Sequence, residues 1–257
     1  MTQYQRHIDV DNLWQTILAE AQQVADDTPL LKAFYEQNIL QHHAYYAALA
    51  HVLAEKLADS PASIEAWRKF ILELITQHQS IAIAASKDLL CQLRNNAAIK
   101  HLHTPLLYFG GYQALQCYRL AHACWLNHQS AMANYIQSRV VYLFGVDIHP
   151  AAQIGAGIFM DHAVGIVIGE TSVVEDDVTL FQGVTLGGTG KGSGDRHPKV
   201  RRGAFIGSGA QVFGNIEIGA QAKVGGGAVV VNTVAAGSTV VGPTAKPPGH
   251  HIFSSKE

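Results

Sequence analysis

One histidine and one aspartate of this sequence have the chemistry needed for proton transfer. The pKa of a histidine side chain lies near neutrality, so His162 could take a proton from a weakly nucleophilic hydroxyl group. Asp147, which precedes it in the chain, could hold the other ring nitrogen and stabilise the imidazolium. A surface ion pair is the alternative interpretation. Side chains of these two types can form a general base with an orienting carboxylate where a fold brings them together.

The elements that must position this pair follow a six-residue period. Of the 14 positions that keep the period, 11 are Val or Ile. The positions are Ile148, Ile154, Met160, Ile166, Ser172, Val178, Val184, Val200, Ile206, Val212, Ile218, Val224, Val230 and Ala236. A hexad period is typical of a parallel β-helix, in which each short strand sends one aliphatic side chain inward. A Gly/Val-rich sandwich is the alternative. Coils of three hexads would bring Asp147 and His162 onto adjacent coils of one face.

The period is interrupted once. After Val184 the next position of the period would be Gly190, but the pattern resumes only at Val200, ten positions later. The excess falls in a glycine-rich stretch between Leu186 and Lys199. Long excursions from a solenoid usually carry function, and glycines let the backbone approach a ligand closely. We therefore expect this excursion to take part in a binding site.

The first half of the chain has a different pattern. Only two of the 24 glycines precede position 145, which permits helices there because glycine weakens a helix. Apolar residues recur at helical spacing from Leu13 to Ala21, and Pro29 and Pro61 mark breaks. We predict helices over 63–77, 80–93 and, as one long helix, 111–144, with a loop over 94–104. The expected domains are 1–144 (helical), 145–242 (β-helix) and 243–257 (tail).

Composition narrows the class of protein. Hydrophobic residues make up 48% of the 257 residues, and the formal net charge is −2, so no nucleic-acid partner is indicated. Three cysteines without framework spacing argue against a secreted disulfide scaffold. The N-terminal stretch has no apolar signal region, and no apolar run is long enough to span a membrane. We expect a cytoplasmic protein.

Several motifs resemble those of bacterial serine acetyltransferases, members of the hexapeptide-repeat acyltransferases. The motifs are Thr104-Pro-Leu-Leu-Tyr108, Gln113-Ala-Leu-Gln116, Asp147-Ile-His-Pro-Ala-Ala152, Met160-Asp-His-Ala163, Ile168-Gly-Glu-Thr171, Val184-Thr-Leu-Gly-Gly-Thr-Gly-Lys191 and Gly194-Asp-Arg-His-Pro-Lys199. The resemblance implies an α+β chain in which helices precede a left-handed parallel β-helix. It also implies trimers with active sites between neighbouring β-helices, joined into hexamers by the helical domains.

The resemblance assigns roles to particular residues. It implies that His162 removes the hydroxyl proton of L-serine, supported by Asp147, and that acetyl-CoA supplies the acetyl group. Arg196 and His197 match the carboxylate-binding pair, and Asp161 suits the substrate ammonium. The residues expected near CoA are Gly187, Gly188, Ser208 and Lys223. No metal is expected, and no cysteine falls in the motif region, so a covalent acyl-cysteine is not expected.

Two departures from the family pattern leave alternatives open. Asn96 stands where relatives carry an aspartate that binds the substrate ammonium and the feedback inhibitor cysteine. Asparagine keeps an oxygen acceptor but has no charge, so another acceptor such as homoserine, or weaker cysteine inhibition, remains possible. The chain ends at Glu257 rather than at isoleucine, so we do not expect a complex with cysteine synthase. A non-catalytic regulatory homologue is the third hypothesis.

Overall fold

We describe residues 12–190 and 192–245 of a computed structural model. Eight α-helices occupy the first part of the described chain. They are α1 (Leu13–Asp27), α2 (Lys32–Tyr35), α3 (Tyr45–Leu57), α4 (Ile64–Gln77), α5 (Ser80–Asn95), α6 (His103–Tyr108), α7 (Gly110–Leu126) and α8 (Ser130–Phe144). Short 3-10 turns cover Pro29–Leu31 and Pro61–Ser63, and a π-helical turn covers Glu36–Leu40. None of the described helices is long and apolar enough to cross a membrane. The predicted tail of 243–257 lies largely outside the described residues.

The prediction of one helix over 111–144 is wrong, because the chain reverses after Leu126. His128 has a left-handed backbone, with φ of 59°. Its N–H bonds the carbonyl of Trp125, and the N–H of Gln129 bonds the carbonyl of Cys124. This is a Schellman motif, which usually ends on glycine. No glycine marks the position here, so the sequence carries no obvious signal for the break.

The predicted loop over 94–104 is shorter than expected. Helix α5 continues to Asn95, and α6 begins at His103. Pro105 therefore lies within the first turn of α6 rather than at the end of the loop. A proline fits there because the first N–H groups of a helix have no intrahelical partner.

The second part of the described chain is a parallel β-solenoid with three faces. Sheet A contains β1 (Asp147–Ile148), β4 (Val167–Ile168), β7 (Thr185–Gly187), β10 (Gln211–Phe213) and β13 (Val229–Val230). Sheet B contains β2 (Gln153–Ile154), β5 (Val173–Val174), β8 (Lys199–Val200) and β11 (Glu217–Ile218). Sheet C contains β3 (Phe159–Asp161), β6 (Thr179–Phe181), β9 (Phe205–Ile206), β12 (Lys223–Val224) and β14 (Thr239–Val240). The predicted fold class is confirmed, and the division into separate domains stays a prediction.

The register differs from the predicted hexads in the first coils. The coil from Asp147 to its partner Val167 is two residues longer than the coil from Lys199 to its partner Glu217. The turn between β3 and β4 contains the two additional residues. As a result Ile168, and not Ile166, is the buried residue of strand β4, and Ile166 is buried at the preceding corner.

Other predicted strand positions, and the length of the excursion, also differ from the hexad pattern. Ser172, Val178 and Val184 are also buried at corners rather than in strands. Thr185 pairs with Gln211 in the next coil, so this coil is eight residues longer than a coil of three hexads. The hexad pattern predicted ten additional residues, and the excursion is therefore two residues shorter than predicted. At the far end Ala236 lies outside the strands, and Val234 forms an isolated bridge with Ile218.

A buried ion pair joins the helices to the first coil of the solenoid. Asp88 of α5 is fully buried, and its Oδ2 accepts hydrogen bonds from Nη2 (2.7 Å) and Nε (3.0 Å) of Arg119 on α7. Gln116 donates to the same oxygen, and the backbone N–H of Ile158 donates to Oδ1. Arg119 also donates to the carbonyl of Gly155. This network fixes α5 and α7 over the solenoid end where the first predicted site residues lie.

Candidate active site

One edge of the solenoid, where the chain passes from sheet C to sheet A, is a stack of similar turns; we call it the CA edge. In each turn a glycine N–H donates to a backbone carbonyl oxygen of the turn before it. The bonds run from Gly183 to Val164, from Gly209 to Gln182 and from Gly227 to Ser208. Gly183 has a φ of +70°, a left-handed backbone that glycine adopts without steric cost. The first turn of this edge carries His162.

His162 has an unusual backbone and an open side chain. Its φ is +56° and that of Ala163 is +67°. Left-handed backbone in a residue with a Cβ stores strain, of order 1–3 kcal/mol per residue, and such strain clusters at functional sites. The imidazole is 72% exposed, with Nε2 3.7 Å from Oδ2 of Asp161. The turn therefore presents the ring to solvent beside a carboxylate.

Helix α7 packs directly against this turn. A Cβ added to Gly111 would lie 2.7 Å from the carbonyl oxygen of Met160 and 2.9 Å from the Cβ of Ala163. Such contacts are too short for any other residue. Gly111 thus allows the helix backbone to support the turn, a role that the sequence analysis did not assign to it.

Asp147 lies beside the same edge but does not bond to His162. Asp147 begins β1 of sheet A. The turn that follows His162 stacks on the residues that precede Asp147, because the N–H of Gly165 bonds the carbonyl oxygen of Gly145 (2.7 Å). Its Oδ1 accepts a hydrogen bond from Nε2 of Gln137 on α8 (2.7 Å). Among the described residues no hydrogen bond joins Asp147 to His162. The predicted placement on one face of adjacent coils is wrong, because both residues belong to the first coil, where Asp147 begins sheet A and His162 falls in the last corner.

A second edge, where the chain passes from sheet A to sheet B, carries the excursion; we call it the AB edge. Nη2 of Arg196 donates to Oε2 of Glu170 at 2.6 Å, and its backbone N–H donates to Oγ1 of Thr171. The hydrogen bond from Arg196 lowers the pKa of Glu170, so this carboxylate is ionised at neutral pH. Glu170 and Thr171 were only part of a motif in the sequence analysis.

His197 is buried beneath the excursion at the AB edge. Nδ1 accepts the backbone N–H of Thr171 at 3.2 Å and lies 2.9 Å from its Oγ1, so the neutral ring carries its proton on Nε2. Burial, and then the charge of Arg196, lower the pKa of His197. A Cβ on Gly169 would lie 2.0 Å from Cδ2 of the ring, so only glycine leaves room for it. The ring is a neutral hydrogen-bond donor at neutral pH.

The glycines that were expected near CoA have neighbours within the chain. A Cβ on Gly187 would lie 2.8 Å from the ring of Phe213. A Cβ on Gly188 would lie 3.4 Å from Cγ of Arg196 and from Nε2 of His197. The ring of Phe213 therefore leaves no room for a side chain at position 187, and Gly188 packs beside Arg196 and His197 of the AB edge. Their role in binding CoA stays a prediction.

The other predicted residues lie in three places. Ser208 is exposed in the CA edge, two coils beyond His162. Lys223 is exposed on sheet C, between Phe205 and Thr239 in register. Asn96 lies just after α5, and its Oδ1 accepts the backbone N–H of Ala98 at 3.0 Å. Thus the amide oxygen that was expected to bind substrate already has a partner in the loop.

Within one chain, sheet A separates the two groups of predicted residues. His162, Asp147, Asp161 and Ser208 gather at or beside the CA edge, whereas Arg196 and His197 lie at the AB edge. One cleft of about 530 Å³ lies elsewhere, between the end of α7 and sheet B near Trp125 and Arg202. A single chain therefore does not form one pocket around the predicted residues.

The three described cysteines do not suit nucleophilic chemistry. Cys91, Cys117 and Cys124 are buried, and burial raises their pKa to about 11, 12 and 11, respectively. Reactive cysteines have a lowered pKa and access to solvent. The environment of these cysteines therefore does not favour a role as nucleophile.

A parallel solenoid of six-residue repeats, with an exposed histidine beside a carboxylate at one edge, defines the class of hexapeptide-repeat acyltransferases. A family model described as serine acetyltransferase, N-terminal, matches residues 13–117. The serine acetyltransferase of Haemophilus influenzae is 46% identical over 235 residues, which cover 91% of this chain and 88% of the relative. The chain belongs to the serine acetyltransferase family.

Solved structures of serine acetyltransferases have the same fold. One in complex with CoA superposes with a TM-score of 0.87 at 44% identity, covering 93% of this chain and 99% of that chain. One in complex with cysteine gives 0.88 at 45% identity, with the same coverage. The Neisseria gonorrhoeae enzyme in complex with serine gives 0.88 at 39% identity, covering 95% of this chain and 100% of that chain.

Proposed function

We propose that this protein transfers the acetyl group of acetyl-CoA to the hydroxyl of L-serine, giving O-acetylserine and CoA for cysteine biosynthesis. The single observation that carries the proposal is His162, held exposed in a strained left-handed turn beside Asp161. Membership of the serine acetyltransferase family supports it, as do relatives solved with CoA and with serine. This pathway context rests on the family resemblance.

The proposed reaction needs one base and no covalent intermediate. His162 takes the proton of the serine hydroxyl while the oxygen attacks the thioester carbonyl carbon. The C–O bond forms, the C–S bond breaks, and the histidine returns the proton to the CoA thiolate. Asp147 stabilises the transient imidazolium once the ring turns from Asp161 towards it. Gln137, which bonds the Asp147 carboxylate, positions that carboxylate.

The amino-acid substrate would bind through both of its charged ends. Arg196 and the Nε2–H of His197 suit the carboxylate, since a guanidinium and a neutral imidazole both donate. The ion pair with Glu170 holds Arg196 in place. Asp161 suits the ammonium. In this proposal Asn96 adds a neutral oxygen where relatives have a charged one.

The positions of these groups favour an oligomeric active site. Arg196 and His197 could complete a site at the CA edge if the AB edge of a neighbouring chain packs beside it. A ring of three chains would repeat this contact and close. We therefore propose a trimer with three shared sites and, through the helical part, a dimer of trimers. A cytoplasmic location remains part of the same proposal.

Feedback inhibition by cysteine is a further part of the proposal. A relative has been solved in complex with cysteine, and cysteine has the same charged ends as serine. Because Asn96 has no charge and its Oδ1 is already bonded to Ala98, we expect weaker binding of both amino acids than in a relative with aspartate. The Asn96→Asp variant should lower the serine KM and the cysteine inhibition constant together; unchanged constants would contradict this.

One experiment tests the activity and its alternatives. CoA release from acetyl-CoA is measured with serine, homoserine and other hydroxy amino acids, for the unaltered protein and for His162→Ala. Turnover with serine that disappears in the variant supports the proposal. Turnover only with homoserine would favour the alternative acceptor that Asn96 leaves open. No turnover with any acceptor would favour a non-catalytic regulatory homologue.

A further inference from the structure

In the helical part of the chain, one carboxylate and two imidazoles converge where α1 meets the segment between α5 and α6. The residues are Glu20 of α1, His101 of the loop and His103 at the start of α6. One ligand atom from each lies within 4.8 Å of the other two. Oε1 of Glu20 and Nδ1 of His101 are 3.6 Å apart. Zinc bound at about 2.0–2.1 Å in a tetrahedron needs ligand atoms about 3.4 Å apart, so small movements would suffice.

His103 supplies a second, independent sign of a ligand. The residue is 4% exposed, and its Nε2 is buried without a hydrogen-bond partner. Its Nδ1 lies 3.2 Å from Oη of Tyr35, which in turn bonds Oη of Tyr108 at 2.9 Å. With the proton on Nδ1, the ring donates to Tyr35 and directs a free lone pair from Nε2. Histidines that bind metals are typically held in this way by a partner on the other nitrogen.

We propose that Glu20, His101 and His103 bind a Zn²⁺ ion. Two imidazoles and one carboxylate suit zinc rather than calcium or magnesium, which prefer oxygen ligands. The side chain of His101 is 52% exposed, so a water molecule can reach the fourth position. The ion would tie α1 to the loop of residues 96–102, which begins with Asn96. The site is separate from the residues proposed for acetyl transfer.

Glu20 is distant in sequence from the two histidines. Glu20 lies in the first described helix and His101 follows the fifth, so the spacing of histidines alone did not indicate a site. An alternative role for Glu20 is structural, because its Oε2 also accepts the backbone N–H of Leu102 at 2.7 Å. This bond leaves Oε1 for the ion, and the two roles are compatible.

Titration with Co²⁺ and Zn²⁺ tests the site directly. The full chain, with His250 and His251 changed to glutamine to remove a sequence-adjacent pair, is freed of metal and titrated with Co²⁺. We expect the visible absorption of tetrahedral Co²⁺ at one ion per chain, displaced by Zn²⁺. Tyr35→Phe, which removes the partner of Nδ1, should weaken binding by about 10–100-fold.

Two variants and a control decide the result. His101→Gln removes a half-exposed ligand without opening the core, and Glu20→Gln removes the carboxylate; both should abolish the absorption. His43→Gln changes an exposed histidine outside the cluster and should bind as before. The proposal is overturned if the starting protein binds no Co²⁺ at one equivalent, or if His101→Gln and Glu20→Gln bind as tightly as the control.

Discussion

His162 and His197 are both candidate site residues, yet their surroundings differ in every respect. His162 is exposed in a left-handed turn, where its ring can accept and release a proton. His197 is buried, and its Nδ1 is occupied by Thr171, so it is suited to donate from Nε2. The family motifs made both of them candidates, and their environments agree with the different roles that the resemblance implies, a base and a binding group.

Replacing His162 by asparagine should separate activity from stability. Asparagine tolerates left-handed backbone better than histidine, so the thermal midpoint should stay the same or rise. Loss of the base should lower kcat by about 10²–10⁴-fold. CoA release and thermal unfolding are measured on the same preparation. A variant that keeps at least half of the activity would exclude His162 as the base.

Burial of His197 should make stability depend on pH. Because burial lowers its folded pKa below the ordinary value of 6.5, the unfolded chain binds the proton more readily as pH falls through 6.5. The free energy of unfolding should therefore decrease between pH 7 and pH 5, where the Glu170 carboxylate remains ionised. His197→Gln should reduce this slope, measured by urea unfolding at several pH values. An equal slope in both proteins would contradict the assignment.

At the scale of elements, two helices determine where the first turn of the CA edge lies. Gly111 lets α7 touch that turn, and Gln137 of α8 bonds Asp147 beside it. Neither contact was predicted, because the sequence was interpreted as one continuous helix through both residues. The break at His128 folds α8 back along α7 and brings both helices to the same edge.

Gly111→Ala should impair activity through the position of the turn. The added Cβ would meet the backbone of Met160 at 2.7 Å, and a displacement near 1 Å at a catalytic group can reduce the rate about 10²-fold. Gly110→Ala is the matched control, because its Cβ would approach only the ring of Phe144, at 3.2 Å. We expect a much lower kcat for Gly111→Ala than for Gly110→Ala. Equal rates would show that the helix does not position His162.

The Asp88–Arg119 pair should contribute strongly to stability. Asp88→Ala would leave a buried guanidinium, an amide and the N–H of Ile158 without their acceptor, and removing one partner of a buried ion pair costs about 3–5 kcal/mol. Urea unfolding measures the loss. The exposed pair of Arg68 and Glu65 provides the control, since Glu65→Gln should change stability little. A small effect of Asp88→Ala would mean that packing alone holds α5 and α7 on the solenoid.

At the scale of the whole molecule, the separation of the CA and AB edges by sheet A suggests that one chain forms only half of each site. If sites are shared in a trimer, a chain carrying His162→Ala and one carrying Arg196→Ala can each supply the half that the other lacks. Each trimer that contains both variants should then recover about one of its three sites. The two differently tagged variants are co-expressed and the mixed oligomers purified before CoA release is measured. Activity no greater than that of either variant alone would place both halves within one chain.

The sequence by itself determined the class of fold and the set of candidate residues. Its six-residue period specifies a parallel solenoid, because inward aliphatic side chains at that spacing bury a continuous core in few other folds. Its motifs also selected His162, Asp147, Arg196 and His197. A local period, however, does not show where a corner contains two extra residues, so the register of the first coils was predicted incorrectly.

Only the tertiary structure decided which of these residues meet. The assignment of His162 to one edge and Arg196 to another follows from the order of the three sheets, which depends on stacking between residues a whole coil apart. The support from Gly111 and Gln137, and the cluster of Glu20 with His101 and His103, join residues that are still farther apart or lie on different elements. Such contacts form because the packed core excludes water and brings distant segments together. Neither the composition of the sequence nor the spacing of its residues indicates these contacts.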